Sequence, residues 1–68
     1  MANTTRATNA RIYNIVGVEL LEIQDGNGNF EYYKKVFNDF IFVFGVPDEP
    51  LTIKHIKNLV ADGFFDNV

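Results

Sequence analysis

The spacing of hydrophobic and polar positions divides this chain into a polar start, a strongly apolar centre and a mixed end. Residues 1–10 are polar, rich in Thr and Asn, and without periodicity, which predicts a disordered tail. Residues 12–23 are apolar and β-branched, which predicts a strand, with Gly17 marking a bulge or a close backbone approach. Residues 11–68 are therefore expected to form one small domain.

A hairpin is the clearest local prediction. Residues 25–29 read Asp-Gly-Asn-Gly-Asn, and these residue types tolerate the positive φ angles that hairpin loops need. The next segment, Phe30–Val36, is predicted as the return strand. Its alternation separates Phe30, Tyr32 and Lys34 from Glu31, Tyr33 and Lys35. Because both faces carry aromatic side chains, both are expected to meet another surface.

Residues 38–44 have two interpretations. The β propensity of the run Phe-Ile-Phe-Val-Phe predicts a strand, with Phe40, Phe42 and Phe44 on one face. The flanking residues instead predict a helix, because Asn38 is a suitable N-cap and Gly45 suits the position after a helix end. Local pattern alone leaves both open.

Residues 51–62 show helical spacing of the apolar positions Ile53, Ile56, Leu59 and Val60, and Gly63 suits a helix end. A helix is predicted here, although the first residues of the segment also fit the alternation of a strand. The choice between strand and helix stays open.

Size and composition indicate self-association. The chain has 68 residues, of which seven are Phe and three are Tyr. A domain of about 60 residues buries only about 60% of its unfolded surface, and small scaffolds usually add disulfides, a metal or oligomerisation. There is no cysteine and His55 is the only histidine, so disulfides are excluded and a zinc site nearly so. A homodimer without a cofactor is therefore expected.

Charge concentrates in the aromatic centre. The formal net charge is −3, and residues 19–49 hold seven acidic residues against two lysines. Direct nucleic-acid binding is not expected, since phosphate contacts need a basic surface. A basic protein partner is the alternative that this charge favours, and a solvated surface is the simpler interpretation.

The sequence does not predict an enzyme. The chain has neither serine nor cysteine, so the usual hydrolase nucleophiles are missing. Gly26 and Gly28 lack the other residues of a phosphate-binding loop. The chain also shows no signal peptide and no apolar run of about 20 residues, so a soluble, cytoplasmic protein without membrane contact is expected.

Several short motifs in the centre resemble a known family. They are Leu20-Leu21, Asp25-Gly26, Phe30-Glu31-Tyr32-Tyr33-Lys34, then, after a one-residue deletion, Asp39-Phe40, Phe44-Gly45 and Asp48-Glu49. Together they are similar to the small dimeric uracil-DNA glycosylase inhibitors encoded by short-tailed phages of Bacillus, and the match covers about half of the chain.

The resemblance implies an α+β fold: a small three-stranded antiparallel sheet with one short helix at residues 38–44, paired as a homodimer. In a variant of this fold, the C-terminal segment forms a second helix. The resemblance also implies a DNA mimic that acts in the host cytoplasm. Its acidic side chains would occupy the DNA groove of uracil-DNA glycosylase, and an apolar pocket at the dimer interface would capture the leucine that the enzyme inserts into the minor groove.

The resemblance assigns partner-binding residues by position. Phe40 would line the pocket, Phe44 stands where the family has tyrosine, and Glu31 would be the acidic contact. Ile41 follows Phe40 where the family has an acid. The surrounding acidic positions are Glu22 and Asp25. The alternative function is a phage structural or regulatory module that self-associates through its aromatic face.

Overall fold

The computed structural model describes residues 9–67. Four antiparallel strands run in the order β1-β2-β3-β4, and one helix follows them. The elements are β1 (Asn9–Ile15), β2 (Val18–Gln24), β3 (Phe30–Val36), β4 (Asp39–Val46) and α1 (Ile53–Ala61). The α+β class is confirmed, but the sheet has four strands and not the expected three.

A two-residue turn divides the apolar segment that was predicted as one strand. Val16 and Gly17 have φ angles of 48° and 82°, and Ile15 pairs with Val18 directly across the turn. The prediction of a single strand over residues 12–23 is therefore wrong. Gly17 is part of a reversal of the chain because it tolerates positive φ, and no bulge forms there.

The first strand begins inside the segment that was predicted as a disordered tail. Residues 9–10 begin β1, where they pair with Gln24 and Ile23 of β2. The rest of the predicted tail, residues 1–8, lies outside the described residues. Pairing with β2 satisfies the backbone of this polar segment without requiring apolar periodicity.

The predicted hairpin between β2 and β3 is confirmed. The Asp25 carboxylate oxygen Oδ1 accepts hydrogen bonds from the backbone N–H groups of Asn27 at 2.8 Å and Asn29 at 3.0 Å. The Asp25 N–H in turn donates to the Asn29 carbonyl at 2.9 Å. The loop is therefore held by the local side-chain bonding that makes Asp a frequent turn residue.

The helix that the resemblance implies at residues 38–44 is wrong, because this run forms β4. Phe37 and Asn38 form a two-residue turn, and Val36 pairs with Asp39 across it. Pairing with β3 satisfies the backbone of the apolar run, whereas a seven-residue helix would leave most of its terminal N–H and C=O groups without partners. The strand propensity prevails over the helix-like flanking residues.

The C-terminal segment forms the helix that its periodicity predicts. Thr52 caps the start of α1, with its side-chain Oγ1 accepting a hydrogen bond from the His55 N–H at 3.1 Å. Gly63, at φ 79°, ends it, and the N–H groups of Gly63 and Phe64 donate to carbonyls of the last turn. This is the Schellman arrangement, for which Gly is the preferred residue.

The helix packs on one face of the sheet, which we call the covered face. The buried core consists of Leu20, Phe30, Tyr32, Ile56 and Phe65. Phe44 adds ring contacts to Tyr32 and Phe64, with centroid separations of 5.3 and 5.6 Å. The opposite side of the sheet, which we call the open face, has no element of residues 9–67 packed on it.

Within residues 9–67, no helix is long and apolar enough to span a membrane. The single helix found there, α1, has nine residues, whereas a span needs about 20.

Two hairpin turns at the same end of the sheet place apolar residues in the left-handed region. Val16 has φ 48° and is 90% exposed, and Phe37 has φ 57° and is 92% exposed. Bulky and β-branched residues are unfavourable there, whereas Asn is tolerated.

We expect Val16→Asn to raise the free energy of unfolding by roughly 1 kcal/mol, because it relieves backbone strain while an exposed side chain loses little packing. Urea denaturation measures the change. Val16→Thr is the matched control, since it keeps the β-branch and should change stability by less than about 0.5 kcal/mol. An Asn variant no more stable than the Thr variant would contradict this interpretation.

Candidate protein-binding face of the sheet

A continuous apolar row crosses all four strands on the open face. Ile12 pairs with Leu21, Leu21 with Tyr33, and Tyr33 with Phe42. Directly opposed residues of antiparallel strands point to the same side, so these four side chains form one line, which we call the central row. Ile12 and Phe42 at its two ends are each 54% exposed.

Tyr33 links the central row to a carboxylate. Its ring lies edge-on to Phe42 with a centroid separation of 5.6 Å, and its hydroxyl donates to Glu31 Oε1 at 2.9 Å. This hydrogen bond raises the pKa of the Tyr33 phenol, because it favours the protonated form, and partial burial and the negative charge of Glu31 act in the same direction. The carboxylate is thereby oriented over an apolar surface.

Two shorter rows lie on either side of the central row. The lower row contains Ile23, Glu31 and Gly45, which are paired across β2, β3 and β4. The upper row contains Lys35 paired with Phe40, which is 39% exposed. Glu19, which pairs with Asn14 and lies two residues from Leu21 on β2, is on the same side as this second row. The open face therefore has the Glu31 carboxylate on one side of its apolar line, and a cation, an aromatic ring and the Glu19 carboxylate on the other.

A shallow recess opens at the lower end of this face. Its volume is about 300 Å³. It is lined by Glu31, Phe42 and Gly45 of the open face, by the paired strand residues Phe30 and Val46, and by Asp25, Asn29 and Pro47 of the adjacent loops. Gly45 leaves the recess open because it has no side chain. An added Cβ would lie 3.4 Å from the Phe30 carbonyl oxygen, so the position can accept a small side chain.

A shift in register in β4 separates the aromatic residues that simple alternation would align. Tyr32 pairs with Phe44 and Tyr33 with Phe42, so Val43 is an extra residue between the two pairs. Such a bulge reverses the face on which the following residues lie. Phe44 therefore packs in the core of the covered face, while Phe40 and Phe42 stay on the open face, contrary to the prediction that all three align.

The structure therefore brings Glu31 and Phe40 to one face but does not place Phe44 with them. Ile41 also belongs to the other side, since it pairs with Lys34, whose Nζ donates to the Phe65 carbonyl at 2.6 Å beneath the sheet. Of the assigned aromatic and aliphatic residues, only Phe40 lies on the open face.

Glu22 is a structural residue rather than a surface acid. It is 4% exposed and accepts a hydrogen bond from the Tyr32 hydroxyl at 2.6 Å. The same hydroxyl accepts one from the Leu51 N–H at 2.8 Å. Burial first, and then the bond to Glu22, raise the pKa of Tyr32 above its ordinary value, so the phenol stays protonated at neutral pH. This network joins β2, β3 and the segment before α1.

Asp25 is divided between two roles. Its carboxylate is used by the hairpin loop, as described above, yet it also lies at the edge of the recess. It therefore contributes negative charge beside Glu31 without being free to reorient. Of the three assigned acids, Glu31 is the one whose side chain lies on the open face itself.

The sequence predictions did not include the central row. The alternating apolar residues of β1 and β2 could have predicted it, if the turn at Val16 and Gly17 had been recognised. A two-residue turn there pairs Ile15 with Val18, so residues of opposite parity share a face. Treating residues 12–23 as one strand places Ile12 and Leu21 on opposite faces, whereas the turn brings them together.

Comparison of this chain with protein families, with curated proteins and with solved structures finds no match. The geometry and chemistry of the open face are therefore the observations on which a functional proposal is based.

We expect Tyr32→Phe to lower the free energy of unfolding by roughly 2–3 kcal/mol, because it leaves the buried Glu22 and the Leu51 N–H without their shared partner. Thermal or urea denaturation measures the loss. Tyr33→Phe is the matched control: it removes a hydroxyl of the open face and should lower stability by less than about 1 kcal/mol. Equal losses in both variants would show that the buried Tyr32 network contributes no more to the free energy of unfolding than the exposed Tyr33 hydroxyl.

Proposed function

We propose that this chain is a protein-interaction domain that works as a homodimer, with the open face as the interface. The central row is the observation that carries the proposal, because it is an apolar line across the whole sheet with no cover from residues 9–67. Contiguous exposed apolar surface of this kind is typical of interaction sites.

A domain of this size buries little apolar surface, and packing the open face against a second copy would bury more of it. The buried core consists of five hydrophobic residues, while Phe40, Phe42 and Ile12 remain in contact with solvent. Removing apolar surface from water stabilises by roughly 25 cal/mol per Å², so sheet-on-sheet packing would add a second core layer.

The size of the face permits a specific dimer. Four strands spaced about 4.8 Å apart and about seven residues long cover roughly 19 by 23 Å per copy. Specific interfaces bury on the order of 800 Å² per partner, and a rough surface exceeds its projected area. The projected area of about 440 Å² per copy is below that value, so the open face would form an interface at or below the small end of the range for specific dimers.

We expect the wild-type chain to sediment as a dimer at roughly 0.1 mM and Leu21→Lys to sediment as a monomer, because the substitution places a charge in the middle of the apolar row. Analytical ultracentrifugation measures the mass, and circular dichroism checks that the variant is folded. Ile53→Lys is the matched control, since Ile53 lies at the start of α1 and is exposed away from the sheet's open face. A monomeric wild-type chain would refute the homodimer.

A second candidate function is inhibition of uracil-DNA glycosylase by DNA mimicry, as the resemblance implies. The observation that favours it is the shared position of Glu31 and Phe40, both assigned by the resemblance, on the open face. A base-flipping enzyme has a cationic DNA groove and an apolar wedge. A face with carboxylates beside exposed aromatic rings offers complements to both.

In this second candidate the protein acts in the cytoplasm of the infected host, binds the enzyme and not the nucleic acid, and needs no cofactor. Its acidic surface is smaller than the sequence suggested, because Glu22 is buried and Asp25 is bonded within its loop. Glu31 and the aromatic rings of the open face would therefore carry most of the recognition.

For this candidate, we expect excess protein to suppress uracil release from uracil-containing DNA, and Phe40→Ala to weaken inhibition by at least about tenfold. The assay measures free uracil against inhibitor concentration. Phe37→Ala is the matched control, because Phe37 is a fully solvated phenylalanine at a turn and off the open face. Uracil release at full rate in the presence of excess wild-type protein would end this candidate.

A further inference from the structure

We infer that the recess beside Gly45 is a binding site for an aromatic side chain, and that Phe40 of a second copy occupies it. This inference rests on the proposed homodimer and specifies how the two copies are oriented. It follows from the arrangement of the upper and lower rows about the central row.

The two flanking rows are placed symmetrically. Glu31 and Lys35 on β3 each lie two residues from Tyr33, or about 6.6 Å along the strand in opposite directions. Gly45 is opposite Glu31 and Phe40 is opposite Lys35. Each row therefore pairs one charged residue of β3 with one residue of β4 at the same level.

A twofold axis that runs along the central row, between two sheets packed face to face, exchanges these rows. Glu31 of one copy then lies against Lys35 of the other, and Phe40 of one copy lies against Gly45 of the other. Each contact occurs twice, as an isologous interface requires. The central rows of the two copies pack on each other and form the apolar middle of the interface.

The charges favour this axis over one parallel to the strands. An axis along β3 would place Glu31 against Glu31 and Lys35 against Lys35, and like charges across an interface are unfavourable. With the axis along the central row, opposite charges meet at both ends. Glu19 and Ile23 each lie two residues from Leu21 on β2, so this axis places Glu19 of one copy against Ile23 of the other.

The volume of the recess is sufficient for an aromatic side chain. A cavity of about 150 Å³ accommodates benzene, and the recess has a volume of about 300 Å³. Phe42 supplies a ring for edge-to-face contact, and the carboxylates of Glu31 and Asp25 lie near the rim, where they suit the positive edge of a ring. Phe40 is 39% exposed at the edge strand and is free to enter such a site.

Cysteine cross-linking between two different variants tests the orientation. The chain has no cysteine, and Gly45→Cys is sterically acceptable because its Cβ makes only ordinary contact. Phe40→Cys and Gly45→Cys are prepared separately, mixed, and treated with a short bismaleimide, since packed sheets about 10 Å apart are too distant for a disulfide. The mixed dimer keeps one wild-type contact between Phe40 and Gly45.

We expect cross-linked dimer in the mixture and little in either variant alone. Equal cross-linking of a single variant with itself, or dimers that sediment normally but do not cross-link in the mixture, would overturn the orientation while leaving the homodimer intact. A monomeric wild-type chain would overturn both.

Charge exchange is the second measurement. Glu31→Lys and Lys35→Glu should each raise the dimer dissociation constant by about tenfold, and the double variant should restore it to within about threefold. Glu49→Lys, an equal charge change in an exposed loop, should leave it unchanged. If the loss of dimerisation free energy in the double variant equalled the sum of the losses in the two single variants, Glu31 and Lys35 would not be opposed in the dimer.

Discussion

The sheet has two apolar faces, but residues 9–67 contain a single helix, of nine residues, which covers only one of them. The helix covers one face and forms a core of five buried hydrophobic residues with it. The other face carries the central row and has no cover from residues 9–67. Exposed apolar surface is unfavourable in proportion to its area, and a contiguous patch of it is typical of interaction surfaces. This is the basis of the proposed homodimer.

The extra residue Val43 decides which aromatic side chains belong to which face. Without it, Phe40, Phe42 and Phe44 would lie on the same side of β4. With it, Phe44 contacts Tyr32 and Phe64 in the core, and Phe40 and Phe42 remain outside. This bulge thus separates the aromatic residues of β4: Phe44 packs toward Phe64 and Phe65, and Phe40 and Phe42 stay on the open face.

The acidic residues of the centre do not act as one electrostatic surface. Glu22 is buried in a network with Tyr32, Asp25 holds the hairpin loop, and Glu31 is oriented by Tyr33 on the open face. A net charge mapped on the sequence cannot distinguish these environments, because it contains no information on burial. Of these three acids, only Glu31 has its side chain on the open face.

Elements with local causes follow from the residues of their own segments. The loop at residues 25–29 and the return strand Phe30–Val36 follow from turn chemistry and alternation. Periodicity favours the final helix, although the first residues of that segment also fit a strand. Contacts between segments account for the division of residues 12–23 by a turn, the strand at Asp39–Val46, the bulge at Val43 and the burial of Glu22. Each of these depends on pairing with a neighbouring strand or packing against the helix, and such distant contacts leave no periodic signal within a short segment.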